Sequence, residues 1–198
     1  MVIDVIDFQH VAGDGLDVVE WRFCRAWCNL PRTMNIRIAQ AADLDRIVEI
    51  YNQAIPSRHS TADISPLQTD DRKAWFSEHT PEKYPIFVTE IDGNVIGWCS
   101  LSPYRSGRMA LRFTAEISFY IDHAFHRRGV GRALLEYAMA ACPRLEIKSV
   151  FGIVLERNVA SVRMLEKLGF DRWGHLPRVA DFDGEECGHL YFGKRVWD

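Results

Sequence analysis

Residues 149–155, Ser-Val-Phe-Gly-Ile-Val-Leu, form a nearly unbroken apolar run bounded by polar residues. Such a strand has to be buried on both faces, which places it inside a sheet layered with helices. Upstream, Phe113, Ala115, Ile117, Phe119 and Ile121 alternate with Thr114, Glu116, Ser118 and Tyr120, the period of a strand. Between the two strands, Val130, Ala133, Leu134, Tyr137, Ala138 and Ala141 recur at the spacing of one helix stripe. Strand, helix and buried strand in this spacing predict a βαβ unit with a parallel pair. Few arrangements other than an α/β sheet accommodate that unit.

The turn opening this helix reads His126-Arg-Arg-Gly-Val-Gly-Arg132. Glycines let backbone N–H groups approach a ligand with no Cβ in the way, and a helix start favours negative charge. With Arg127, Arg128 and Arg132 beside Gly129 and Gly131, the stretch suits a phosphate. A plain tight turn with surface arginines fits it equally well. It is no Walker loop, and it lacks the third glycine of a dinucleotide fingerprint.

At 198 residues the chain suits one domain body. Its net charge of −3 argues against a broad cationic face for nucleic acid. No apolar run approaches the ~20 residues needed to span a bilayer, and the acid-interrupted first residues do not form a secretory signal. A cytoplasmic protein is the expectation. The five cysteines are odd in number and scattered, which predicts reduced thiols. Cys24 and Cys28, with His10, lack the second ligand pair of a metal site, and no metal is expected.

Residues 1–33 hold no clear period and are expected to be an N-terminal extension or an over-long start, ahead of a single domain at 34–198. From Met34 the pattern predicts a strand at 35–39 and a helix at 43–55 with Asp43 as N-cap. A loop at 56–66 and a helix at 70–79 follow, the latter turning Ala74 and Trp75 or Phe76 inward. Strands at 85–90 and 95–101 are joined by the hairpin signal Asp92-Gly93, and a polar loop spans 102–111. After the βαβ unit, Asn158 caps a helix with Val162, Leu165 and Leu168 inward, closed by Gly169. Two late strands, 170–174 and 188–196, flank a connection at 177–187.

This order, with the arginine–glycine turn, Asn158-x-x-Ser161 and Leu168-Gly-Phe170, resembles the GNAT superfamily of N-acetyltransferases over residues 35–195. His126 stands where that family usually has Gln or Arg. Thr114-Ala-Glu-Ile-Ser-Phe-Tyr-Ile121 and Asn158-x-x-Ser-Val-Arg-Met-x-Glu-x-Leu-Gly-Phe170 are similar, more narrowly, to phosphinothricin and methionine sulfoximine acetyltransferases. Glu186-Cys-Gly-His189 departs from that subfamily's His-Asp-Val-Gly end segment. The resemblance implies a mixed, mostly antiparallel twisted sheet of about seven strands with helices on both faces and its fourth and fifth strands splayed apart. Acetyl-CoA would lie in that splay against Phe119, Tyr120 and Ile121. Its pyrophosphate would rest on Arg127, Arg128, Gly129, Val130, Gly131 and Arg132, with Asn158 reaching it from the next helix. The acceptor would be a small amino-acid-like amine, held by Tyr104 and Arg105 of the Pro103-Tyr-Arg segment. Relatives are commonly homodimers.

By the same resemblance, Glu116 is the general base and Tyr191 a candidate acid for the leaving thiolate. At pH 7, deprotonating an α-amine near pKa 7.7–8.0 costs about 1 kcal/mol, against roughly 4.6 for a lysine. A carboxylate within reach can accept that proton. From the residues alone, Glu116 could equally be a solvated side chain paired with Arg112, Arg105 a loop arginine in water, Asn158 a plain cap, and Tyr191 a core tyrosine. His123 and His126 read as surface turn residues. Acetylation of a protein N-terminus or lysine, and CoA binding without turnover, are the alternatives.

Overall fold

In the computed structural model, the described residues are 19–21 and 34–198. The strands are β1 (Val19–Trp21), β2 (Met34–Ile38), β3 (Ile86–Ile91), β4 (Asn94–Pro103), β5 (Thr114–Ile121), β6 (Ser149–Leu155), β7 (Asp171–Phe182) and β8 (Glu185–Arg195). The helices are α1 (Leu44–Ala54), α2 (Thr69–Glu78), α3 (Val130–Ala141) and α4 (Val159–Lys167). All eight strands form one sheet in the order β1-β2-β3-β4-β5-β6-β8-β7. Every neighbouring pair is antiparallel except β5 and β6, the pair predicted to be parallel.

That parallel pair governs the rest. β5 and β6 are in register only at Thr114↔Ser149, Ala115↔Val150 and Glu116↔Phe151. Beyond Glu116 the strands part, while β5 stays paired with β4 to Ile121 and β6 with β8 to Leu155. Residues 117–121 therefore keep a ladder on one side only, inside the sheet.

Alternation along the strands sorts side chains onto two faces. Ala115 and Ile117 of β5, with Val150 and Val154 of β6, pack against Leu134, Leu135 and Ala138 of α3 and Leu165 of α4. Leu134, Leu135 and Leu165 have no exposed surface, and burying each contributes about 1.5–3 kcal/mol. On the opposite face, Ile86, Val88 and Trp98 pack against Ile47, Ile50 and Tyr51 of α1, with Trp75 and Phe76 of α2 beside them. Ala74 faces solvent instead of the core, because the indole of Trp75 fills the space toward Trp98, ring to ring at 5.6 Å.

The expected mixed sheet of about seven strands is present, with Val19–Trp21 as a short further strand on the β2 edge. Two expectations about single elements are corrected. Asp43 precedes α1, but its carboxylate accepts from the Gln40 amide and from Arg37 instead of capping that helix. The connection expected at 177–187 is mostly strand: β7 and β8 form a long hairpin that turns at Asp183-Gly184, both at positive φ, as Asp92-Gly93 does between β3 and β4. Pro177 is tolerated because it falls in the irregularity between Leu176 and Ala180 of this edge strand. The segment bearing Cys24, Cys28 and His10 lies outside the described residues.

Candidate active site

Where β5 and β6 part, a cleft of about 490 Å³ opens. Its mouth is set by Asp122, which ends β5. This side chain is buried, accepts from the Ala124 amide at 2.8 Å and Gln53 at 3.2 Å, and pairs with Arg46 of α1. Burial pushes its carboxyl up, but those hydrogen bonds outweigh it and hold the group below the usual carboxylate range. The chain leaving the strand is therefore fixed. Arg127 (φ 61°) and Gly129 (φ 80°) then take left-handed conformations that tip the backbone into the start of α3. The first intrahelical bond runs from the Ala133 amide to the Gly129 carbonyl. The amides of Val130, Gly131 and Arg132 thus have no intrahelical partner, at the positive end of the helix. A Cβ on Gly129 would have nothing within 4 Å, so the residue borders open space.

Of the residues expected to hold the cofactor, Phe119, Tyr120, Ile121, Arg127, Gly129, Val130, Gly131, Arg132 and Asn158 line this cleft. Arg128 does not; its guanidinium stacks over Phe125 at 5.3 Å. His123 and His126, expected as mere turn residues, are exposed and also line the mouth, and His126 donates to the Ile121 carbonyl at 2.9 Å. Asn158 does two things. Its oxygen caps α4 by accepting from the Ser161 amide, and its amide nitrogen reaches Ser60 at 3.4 Å. The unpaired amides, the arginines and the one-sided ladder of β5 suit a phosphorylated ligand with an extended amide chain, as acetyl-CoA is.

Glu116, Tyr191, Tyr104 and Arg105 do not line the cleft. They lie further along, toward the paired end of β5. Register places Glu116 between Ser102 of β4 and Phe151 of β6, all on the face that carries α1 and α2. Burial raises the Glu116 carboxyl above its ordinary range, and among the described residues it has no hydrogen-bond or ion-pair partner. The pairing with Arg112 does not form: that guanidinium covers Phe113 at 4.1 Å and donates to the Met109 carbonyl. Phe151, the cross-strand partner of Glu116, meets Tyr104 edge-on at 4.9 Å and Tyr191 in a stack at 6.3 Å. Arg105 (φ 51°) is exposed, over the Tyr104 ring at 5.6 Å.

Sequence reasoning did not single out the strap over the splay. After α1 the chain crosses the gap, with Ser60 accepting from the Tyr120 hydroxyl at 3.3 Å and from Asn158. Tyr51 anchors it through Thr61 (2.6 Å) and Asp63 (2.5 Å), and Arg58 ties it to the β7–β8 hairpin through the Phe182 carbonyl and Asp183. Only a cluster of Ser, Thr and His between two prolines marked this segment. No group of three His, Cys, Asp or Glu side chains placed to hold a metal occurs among the described residues, and no helix among them is long and apolar enough to cross a membrane.

Residues 44–170 match the model of the acetyltransferase (GNAT) family. A Bacillus subtilis protein provisionally named phosphinothricin acetyltransferase YwnH is 42% identical over 82% of this chain and 99% of its own. The L-methionine sulfoximine/L-methionine sulfone acetyltransferase of Salmonella typhimurium is 33% identical over 74% of this chain and 85% of its own. Among solved structures, a GNAT superfamily phosphinothricin acetyltransferase from Sinorhizobium meliloti in complex with AcCoA superimposes with a TM-score of 0.76 at 27% identity, over 82% of this chain and 88% of that one.

Proposed function

The chain belongs to the GNAT acetyltransferase family and is an acetyl-CoA-dependent N-acetyltransferase, and on that premise we propose that it acetylates the α-amine of a small amino acid or amino-acid analogue of the phosphinothricin or methionine sulfoximine kind. One observation carries the substrate class. The strap through Ser60 bridges the splay between Tyr120 and Asn158, which supports a confined entry for a small acceptor over a groove open to a polypeptide.

Acetyl-CoA supplies the activated acyl group. The amides of Val130, Gly131 and Arg132, with Arg127, hold its pyrophosphate, and the free edge of residues 119–121 aligns its amide chain. Arg105 receives the acceptor's acidic group in a bidentate contact. Glu116, kept basic by burial, takes the amine proton: an N–H bond breaks and a carboxyl O–H forms, leaving the nitrogen lone pair free to attack. Tyr191 is proposed to donate to the departing thiolate. Phosphinothricin, methionine sulfoximine and methionine sulfone, the compounds named in the relatives, head the panel of acceptors.

The test is thiol release from acetyl-CoA across a panel of amino acids, peptide N-termini and lysine. Release with free amino acids only is expected. Release with peptides but no free amino acid would overturn the substrate class, and CoA binding without release from any amine would overturn turnover by this chain. A cytoplasmic homodimer is proposed with it; the support for the dimer is that edge strand β7 leaves Trp173 (54% exposed), Leu176 (44%) and Val179 (52%) uncovered. Sedimentation equilibrium at micromolar concentration reads it out directly.

A further inference from the structure

Beside the proposed base, the face under α2 carries a polar pair to which the mechanism above gives no role. His79 ends α2, half-buried against Trp75 at a ring distance of 4.8 Å. Its Nδ1 lies 2.7 Å from the Trp75 carbonyl and its Nε2 lies 3.0 Å from Ser102 Oγ. A carbonyl can only accept, so the proton of the neutral ring is on Nδ1, and Nε2 presents a lone pair. The Ser102 hydroxyl therefore donates to His79. Burial lowers the imidazole below its ordinary range despite the Trp75 carbonyl and Glu78, which keeps the ring neutral near pH 7.

Ser102 is the cross-strand partner of Glu116, which puts their Cβ atoms about 4.5–5.5 Å apart on one face. Ser102 makes no hydrogen bond to Glu116 in this structure; with its proton committed to His79 its oxygen cannot donate to the carboxylate and can only accept once that group is protonated. The direction matters: a hydroxyl donating to a carboxylate stabilises the charged form and weakens the base, whereas one accepting from the acid stabilises the protonated form. We propose that His79 is a positioning residue for Glu116, fixing the Ser102 hydroxyl as an acceptor so that the carboxylate stays a strong base and its new O–H finds a partner. The titratable groups on this face include Tyr51 of α1, Arg72, Glu78 and His79 of α2, Tyr120 of β5, and His189 and Tyr191 of β8; β4 and β6 bring the uncharged Ser102 and Phe151.

This rests on Glu116 being the base, and the experiment separates the two. Profiles of kcat/KM against pH are measured for the full chain and for Glu116→Gln, His79→Ala, Ser102→Ala and the His79→Ala/Ser102→Ala double variant, with the acceptor that releases most thiol. In His79→Ala the freed hydroxyl donates to the carboxylate, so the acidic limb moves down by about one pH unit while plateau kcat falls about threefold to tenfold. Ser102→Ala shows no downward shift, and the double variant behaves like Ser102→Ala, because without the hydroxyl the histidine has nothing to orient. An acidic limb unmoved in His79→Ala, or losses in the double variant that multiply those of the singles, would overturn the proposal and leave His79 as a structural end to α2. Full activity in Glu116→Gln would instead remove the base on which it depends.

Discussion

Glu116 holds two demands in opposition. Burial without a partner makes it a better base and a worse contributor to the fold. Its folded pKa lies above its unfolded one, so the native state binds more protons through that interval and stability falls as pH rises across it. Glu116→Gln is therefore expected to raise the melting temperature at pH 7, a gain that vanishes as pH falls through the ordinary carboxylate range, and to lower kcat by about 10²- to 10⁴-fold. Calorimetry at pH 4 and 7 with initial rates checks both. Gly129 is the other residue on which the proposed site depends. Gly129→Ala meets no neighbouring atom but strains the left-handed backbone by about 1–2 kcal/mol and puts a methyl group where the proposed pyrophosphate site lies. The KM for acetyl-CoA should rise more than kcat falls.

At the scale of elements, the strap and the hairpin it grips act as a pair. Arg58 and Asp183 are largely exposed, and such ion pairs are worth only about 0–1 kcal/mol. Arg58→Ala should leave the melting temperature nearly unchanged while raising the KM of the amine and admitting bulkier acceptors, seen as thiol release with short peptides. The strands and helices framing this site were legible in advance because each has a single period: β5 alternates by two, α3 repeats by 3.6, and β6 is apolar throughout. The strap was not, since its position depends on Tyr51, Asn158 and Asp183, between 10 and 125 residues away in sequence. The β7–β8 hairpin was misjudged for a different reason. Its charged, half-exposed residues and Pro177 obscured a strand, although Asp183-Gly184 carries the same turn signal that was used at Asp92-Gly93. His79 showed no pattern at all; what it touches is decided by where α2 ends over β4.

For the whole molecule, the placement of the site relative to β1 matters. β1 covers the β2 edge, three strands away from β5. A chain beginning at Met34 should keep its kcat and KM, because no cleft residue lies near that edge. It should also lose some stability and aggregate more readily, because β2 then presents unpaired backbone groups. Unchanged rates with a lower melting temperature and more light scattering would match this. The family pattern could be read from sequence, but the pairing of Val19–Trp21 could not, since three residues carry too little periodicity to announce a strand. The proposed acceptor amine likewise depends on side-chain shape around the site, which no spacing encodes.

The brief register between β5 and β6 has a bearing on handling the protein as well as on its chemistry. Three paired residues join two half-sheets, and past them each half has an unpaired rim facing the other across the cleft. Without a ligand between the rims, amide protons of residues 117–121 should exchange with solvent faster than those of β3 or β4. Addition of acetyl-CoA should slow them and raise the melting temperature with ligand concentration. An enzyme purified free of acetyl-CoA would be the less durable preparation, and refolding in its presence the better-yielding one.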